Sequence, residues 1–195
     1  MMKKIIILLT ITIVSLGAAN AFAKKAMDHN VRVLYFGAGF GFHGMYHDSL
    51  TEPTKYLVCP PVMLGFDYGV KVHPKVPLTF GGIFGYAQSF YEIKSGGNDF
   101  KWTYHYYIIG FRSAFHFTEL FNVDKLDFYI GFMIGYTIVS LDEPELYAGT
   151  YKTGKGFVTG GVHAGLRYYF TKVFGLWVEA GYGFGHIKGG LAFKF

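Results

Sequence analysis

The residue types best suited to chemistry cluster in one short segment, His43-Gly44-Met45-Tyr46-His47-Asp48-Ser49, which brings together two histidines, an acid and a hydroxyl. A nucleophile needs its base in three dimensions, and closeness along the chain does not supply that geometry. His43 and His47 would share a metal ion only if the segment formed a helical turn. We therefore interpret the segment as a solvated polar loop, and we expect no enzyme, no metal site and no cofactor.

A second set of charged residues lies isolated among apolar and small residues. It consists of Asp67, Lys71, Arg112, Asp127, Arg167, Glu179 and Lys194. Successive side chains of a strand point to opposite faces, and these charges fall on the glycine-rich face of their segments. Charges enclosed in a narrow bore of low dielectric must pair, or they destabilise the fold. We predict that they form a polar plug that closes the bore, with a selective or gated channel as the alternative.

Alternating hydrophobicity identifies the strands that would position these charges. Eight segments alternate, at residues 31–42, 62–73, 78–91, 103–117, 126–140, 157–170, 174–185 and 188–195. Each is long enough for the ~9–11 residues of a tilted strand that crosses a bilayer. Most of the longer or more polar connections alternate with tight turns, as in barrels with long outer loops and short inner turns. The sequence therefore predicts an all-β protein, an eight-stranded antiparallel transmembrane β-barrel.

The two faces of each predicted strand differ in a way that indicates a membrane rather than water outside. In the fifth segment, Phe128, Ile130 and Phe132 alternate with Asp127, Tyr129 and other inward residues. The apolar face of the seventh segment runs from Phe174 to Phe184 in steps of two residues. A soluble barrel would place its apolar face inside. We therefore expect the apolar faces to meet lipid.

The C-terminal residues Leu191, Phe193 and Phe195 continue this alternation. The pattern resembles the C-terminal recognition strand of bacterial outer-membrane barrels, whose final Phe is read by the barrel-assembly machinery. We expect all three side chains to face outward. The ring of Phe195 would lie in an aromatic girdle near Phe193 and Phe170.

The N-terminus carries the features of a secretory signal peptide. Lys3 and Lys4 precede an apolar segment, Ile5 to Leu16, and Ala21-Phe22-Ala23 follows as a small-x-small cleavage site. The apolar segment is shorter than the ~20 residues of a spanning helix. We expect cleavage after residue 23, a short periplasmic segment at 24–30 and a barrel at 31–195.

Composition excludes several other classes. The chain is 51% hydrophobic and 20% aromatic, and its net charge of +5 is too small and dispersed to indicate nucleic acid. Cys59 is the only cysteine, so no intrachain disulfide can form. The glycines of Gly37-Ala38-Gly39-Phe40-Gly41 match inward strand positions better than a dinucleotide-binding loop, which would need a following helix.

Three stretches resemble the porin-like outer-membrane β-barrel family of the OmpA/OmpX type. They are Leu126-Asp127-Phe128-Tyr129-Ile130-Gly131, Gly165-Leu166-Arg167-Tyr168-Tyr169-Phe170-Thr171, and Phe174-Gly175-Leu176-Trp177-Val178-Glu179-Ala180-Gly181-Tyr182-Gly183. The resemblance implies a small barrel in the bacterial outer membrane, without a peptidoglycan-binding domain here. It implies no single activity. We expect a monomer with a structural or surface-interaction role, partnered by outer-membrane lipid, the assembly machinery and an extracellular ligand of unknown identity. A narrow diffusion porin and a lipid-modifying enzyme remain alternatives.

The predicted turns also give a register for the inward charges. A tight turn at 171–173 places Arg167 opposite or diagonal to Glu179. A turn at His186-Ile187 would bring Lys194 level with Glu179 on its other side. One carboxylate would then lie between two cations.

Deleting Phe195 should lower the fraction of folded protein in the outer membrane and increase periplasmic degradation, because the terminal aromatic is the predicted assembly signal. Heat-modifiable gel mobility of membrane fractions measures this. Unchanged yield and mobility would contradict the prediction.

Overall fold

Eight antiparallel strands form a closed ring in the computed structural model, which describes residues 25–42, 55–73, 76–95, 98–118, 124–144 and 155–195. The strands are β1 (Arg32–Phe40), β2 (Lys55–His73), β3 (Val76–Ser95), β4 (Asn98–His116), β5 (Leu126–Asp142), β6 (Lys155–Tyr169), β7 (Phe174–Gly181) and β8 (Ile187–Lys194). The predicted fold class is confirmed. The predicted signal peptide and the His43–Ser49 segment lie outside the described residues.

The ring closes where β1 pairs with β8, from Val33 opposite Lys194 to Phe40 opposite Ile187. Two further backbone bonds, each 2.9 Å long, join Arg32 to Phe195 in both directions. Every other strand pairs with its neighbours in sequence. Closure gives both sides of each strand a hydrogen-bonding partner, as a strand surrounded by lipid requires.

Burial along the strands confirms the predicted facing. In β5, Ile130, Phe132 and Ile134 are about half exposed, whereas Asp127 and Tyr129 are fully buried. The ten-residue step from Phe128 to Ile138 rises roughly 25 Å at the usual strand rise and tilt. That height matches the apolar band of a transmembrane barrel. No helix in the described parts of the chain is long and apolar enough to cross a membrane.

Two aromatic residues predicted to face outward are buried instead. Phe184 is 1% exposed, and Phe195 is 7% exposed. Phe184 leaves the alternation because β7 ends at Gly181 and the chain turns through Gly183 (φ 122°) and Gly185 (φ 83°), two left-handed conformations that glycine tolerates. Phe193 does lie in an aromatic group, with its ring 5.6 Å from that of Phe174.

Strands β2, β3 and β4 extend further than their hydrophobic alternation predicts. The β3–β4 pairing continues to Ser95 opposite Asn98, into the connection between the predicted strands at 78–91 and 103–117. Outside the membrane both faces of a hairpin meet water, so alternation no longer marks the strand. Pro60 lies within β2 beside a shift in pairing register between Cys59 and Val62, a position that tolerates its missing N–H.

The segment before β1 folds against the end of the barrel that carries both termini. Ala26 and Met27 are fully buried. Lys194 Nζ donates a hydrogen bond to the carbonyl of Lys25 at 2.7 Å. The backbone N–H of Asn30 donates to the carbonyl of Gly69 at 2.9 Å. Ala26 and Met27 therefore belong to the packed interior of the barrel, whereas His29 and Asn30 are exposed.

Replacing Ile134 by Arg should lower the free energy of unfolding by about 2–4 kcal/mol, because its side chain lies on the apolar band. Urea titration of the protein refolded in lipid vesicles measures this. Thr103→Arg is the matched control, since Thr103 is on the same face of the wall but beyond the band; its cost should stay below ~1 kcal/mol. Equal costs for the two variants would contradict the assigned facing.

Candidate functional site: the charge network in the bore

Six buried ions form a chain of alternating sign across the bore. In order, they are Lys188, Glu179, Arg112, Asp67, Arg167 and Asp127. They come from β8, β7, β4, β2, β6 and β5 respectively. Each side chain is at most 2% exposed. Three cations face three carboxylates, so the chain as a whole is neutral.

Glu179 anchors one end of this chain. Its Oε1 lies 2.6 Å from Lys188 Nζ, and its Oε2 accepts from Arg112 at 2.9 Å. Tyr129 donates its hydroxyl to the same Oε2 at 3.2 Å. His163 Nε2 lies 2.9 Å from the Arg112 guanidinium. Two cations therefore share the Glu179 carboxylate, and each of its oxygens contacts one of them.

Asp67 joins the two arginines. Its Oδ1 lies 3.3 Å from Arg112 Nε, while its Oδ2 accepts from Arg167. Arg167 lies 3.7 Å from Asp127, whose other oxygen contacts His116 Nδ1 at 2.7 Å. The two contacts of Asp67 connect β2 to β4 and to β6, strands that are not its neighbours in the sheet. They therefore bind the walls of the barrel together across the bore.

Two tyrosine rings flank the arginines. The guanidinium carbon of Arg112 lies 5.1 Å from the centre of the Tyr35 ring, and that of Arg167 lies 4.6 Å from the centre of the Tyr129 ring. An aromatic ring attracts a cation that lies over its face, and the attraction is stronger when the cation is removed from water. Each ring lies over a glycine of the next strand, Gly65 or Gly165, where an added Cβ would collide with it. The inward glycines thus provide the space that the rings occupy.

An apolar layer lies in the bore beyond the ions. Phe42 packs edge-on against Tyr106 at 4.9 Å and against Phe184 at 5.3 Å between ring centres. Phe184 lies over Gly85, where an added Cβ would collide with the Phe184 ring and with Ile108. Ile108 is fully buried beside them. The bore is therefore occupied by ions in one layer and by aromatic rings in another.

The structure separates the predicted charge cluster into two groups. Asp67, Arg112, Asp127, Arg167 and Glu179 come together in the ion chain, as described above. Lys71 is exposed and Lys194 lies apart from Glu179, so neither joins the chain. The alternation of β2 breaks near Lys71, where the register with β3 shifts between Val70 and His73.

The predicted register of the last hairpin is wrong. Glu179 pairs with Lys188, because the chain turns around Gly183 and Gly185 rather than at His186-Ile187. Lys188 therefore provides the contact that Lys194 was expected to make. The turn at 171–173 places Gly165 opposite Glu179, so Arg167 is diagonal to it, but Arg167 contacts Asp67 and Asp127 instead.

Several network residues were not identified from the sequence. His116 is four residues from Arg112 and His163 is four residues from Arg167, so alternation places each on the inward face. Alternation alone therefore predicts that both histidines face the bore. It does not predict their partners across the bore, because those depend on how far each strand is shifted around the ring.

The arrangement neutralises charge and fills space. Among the described residues, no group of three His, Cys, Asp or Glu side chains is placed to hold a metal ion. The carboxylates and cations of the ion chain contact one another. This pairing is typical of a network that stabilises a fold.

The chain is similar in structure to three solved barrels. The N-terminal β-barrel domain of Pseudomonas aeruginosa OprF is 16% identical, with a TM-score of 0.49 over 87% of this chain and 100% of that chain. Ail, the attachment invasion locus protein of Yersinia pestis, is 13% identical with a TM-score of 0.42 and the same coverage. Ail in complex with the heparin analogue sucrose octasulfate is 14% identical, with a TM-score of 0.39 and again the same coverage. No family model and no curated protein sequence matches the chain.

The topology and the two faces of the wall define the class of protein. A closed ring of eight antiparallel strands, apolar outside and charged inside, is a small transmembrane β-barrel of the outer-membrane type. The closed eight-stranded ring agrees with the small barrel that the sequence resemblance implied.

Replacing Glu179 by Ala should lower the free energy of unfolding by about 3–5 kcal/mol, because Arg112 and Lys188 would lose their shared carboxylate while staying buried. Denaturant titration in lipid vesicles measures the cost. Lys194→Ala, which removes a hydrogen bond to a carbonyl, should cost only about 1 kcal/mol. The double variant Glu179→Ala/Lys188→Ala should be less destabilised than the two single costs added together. Strict additivity would show that the two side chains are not coupled.

Proposed function

We propose that this protein is a closed outer-membrane barrel with a structural or surface-interaction role. It is exported by its signal peptide, cleaved after residue 23 and inserted by the barrel-assembly machinery, which reads Leu191, Phe193 and Phe195. The observation that carries the proposal is the chain of six paired ions across the bore.

Geometry favours a closed bore over a diffusion pore. An eight-stranded barrel is only just wide enough for its own side chains to fill it. Here two arginines, four tyrosines and a lysine are among the largest fully buried side chains. Moving a solute past them would separate paired charges in a region of low dielectric, which is costly. The aromatic layer of Phe42, Tyr106 and Phe184 would have to open as well.

The outer part of the β3–β4 hairpin supports a surface role. It continues to Ser95 opposite Asn98, whereas β1 ends at Phe40. Its aromatic side chains pack on one another, with the rings of Tyr91 and Tyr104 5.6 Å apart. A rigid hairpin beyond the membrane can present side chains to an extracellular ligand, and aromatic side chains are common anchors at such contacts.

The refolded protein should give no ion-conducting steps in planar lipid bilayers, because its bore is closed by its own side chains. The control is Phe184→Ala, which opens the aromatic layer but leaves the ion chain intact; it should also be silent. Regular conductance steps from the unmodified protein would overturn the closed barrel in favour of a narrow pore. Lipid mass spectrometry of the surrounding bilayer checks the enzymatic alternative, and modified lipid would establish it.

A further inference from the structure

The outward face of β2 to β5 changes character between two successive rows of paired residues. The first row, Val62, Tyr86, Tyr107 and Ile138, is apolar or aromatic and lies in register across the four strands. The next row, which we call the polar row, is Cys59, Gln88, His105 and Ser140, again in register. A wall that passes from lipid tails to headgroups must change in this way.

The polar row is organised by hydrogen bonds rather than scattered. His105 Nδ1 lies 2.7 Å from the hydroxyl of Tyr86, and His105 Nε2 lies 3.1 Å from Asp142 Oδ2. Because a carboxylate only accepts, His105 Nε2 donates to Asp142, and Nδ1 shares a hydrogen bond with the Tyr86 hydroxyl. Cys59 donates through Sγ to the side-chain oxygen of Gln88 at 3.7 Å. The site is therefore ordered before any ligand arrives.

These groups lie on the wall and contribute nothing to the ion chain inside. The side chain of Asp142 is 73% exposed, while that of His105 is 18% exposed. Ser140 is directly opposite His105, so the three residue types of a hydrolase are close together. Both ring nitrogens of His105 are nevertheless occupied, by Tyr86 and Asp142, and neither faces a serine nucleophile. Binding fits this geometry better than catalysis.

We propose that the polar row and Asp142 bind the sugar headgroup of a glycolipid. A sugar offers hydroxyls that both donate and accept, which suits an amide, a hydroxyl and a carboxylate side by side. A phosphate headgroup is disfavoured, because the polar row contains no lysine or arginine and Asp142 would repel the phosphate. Lys101, on the same face of β4, lies over the ring of Phe90, 4.4 Å from its centre. The inference rests on the proposed function, since the wall must be in a membrane for the row to meet headgroups.

The test uses the full barrel refolded in phosphatidylcholine nanodiscs that contain equal amounts of a monoglycosyl diacylglycerol, phosphatidic acid and phosphatidylethanolamine. Native mass spectrometry after release into detergent measures which lipid stays bound. The unmodified protein should retain the glycosyl lipid, and Gln88→Ala or Asp142→Ala should each reduce that retention by about tenfold, the factor for one or two hydrogen bonds. Tyr182→Phe is the control on the opposite wall, where Tyr182 is 60% exposed; it should retain the lipid as before.

Three outcomes would overturn the inference: preferential retention of phosphatidic acid, preferential retention of phosphatidylethanolamine, or glycosyl-lipid retention that neither variant reduces. Heat-modifiable gel mobility confirms that each variant is folded, which is expected because Asp142 and Gln88 lie on the wall surface. Failure to insert into nanodiscs would instead contradict the proposed function. The two failures are therefore distinguishable.

Discussion

Six ions inside a narrow barrel are tolerable only if every charge meets its opposite, and this requirement constrains the rest of the structure. The Asp67–Arg167 contact joins β2 to β6, and the Arg112–Glu179 contact joins β4 to β7. Backbone pairing alone joins only neighbouring strands. Shifting one strand by a single residue would move its ion to the lipid face. The network therefore selects one register of the ring, besides filling it.

Space for the network comes from glycine, and the cost of glycine is offset by the closed ring. Gly65 and Gly165 would weaken an isolated strand, since glycine loses more backbone entropy than other residues on folding. In the barrel each allows a tyrosine ring, Tyr35 or Tyr129, to lie flat against the wall beside an arginine. Small residues on one strand and large ones on the next thus fill a bore of fixed diameter.

Local patterning predicted the parts of this structure that depend on a period of two residues. It gave the strand count, the facing of residues such as Ile130 and Asp127, and five members of the ion chain. It failed where alternation stops. Left-handed glycines moved the last turn and replaced Lys194 by Lys188 beside Glu179. Contacts across the bore, including those of His163, depend on the stagger of all eight strands, which no single segment encodes.

The inner and outer surfaces of β3 to β5 use their polar side chains differently. Inward residues such as Arg112 and Asp127 lie against oppositely charged side chains, Asp67 and Arg167 respectively. On the outer surface the polar groups change with height, from the apolar band around Ile134 to the hydrogen-bonded His105 and Asp142. A polar side chain at the edge of lipid keeps its hydrogen-bonding capacity open to the membrane surface, whereas one in the bore does not. If the bore is closed, as proposed, selective recognition falls to the outer wall and to the hairpins that extend beyond it.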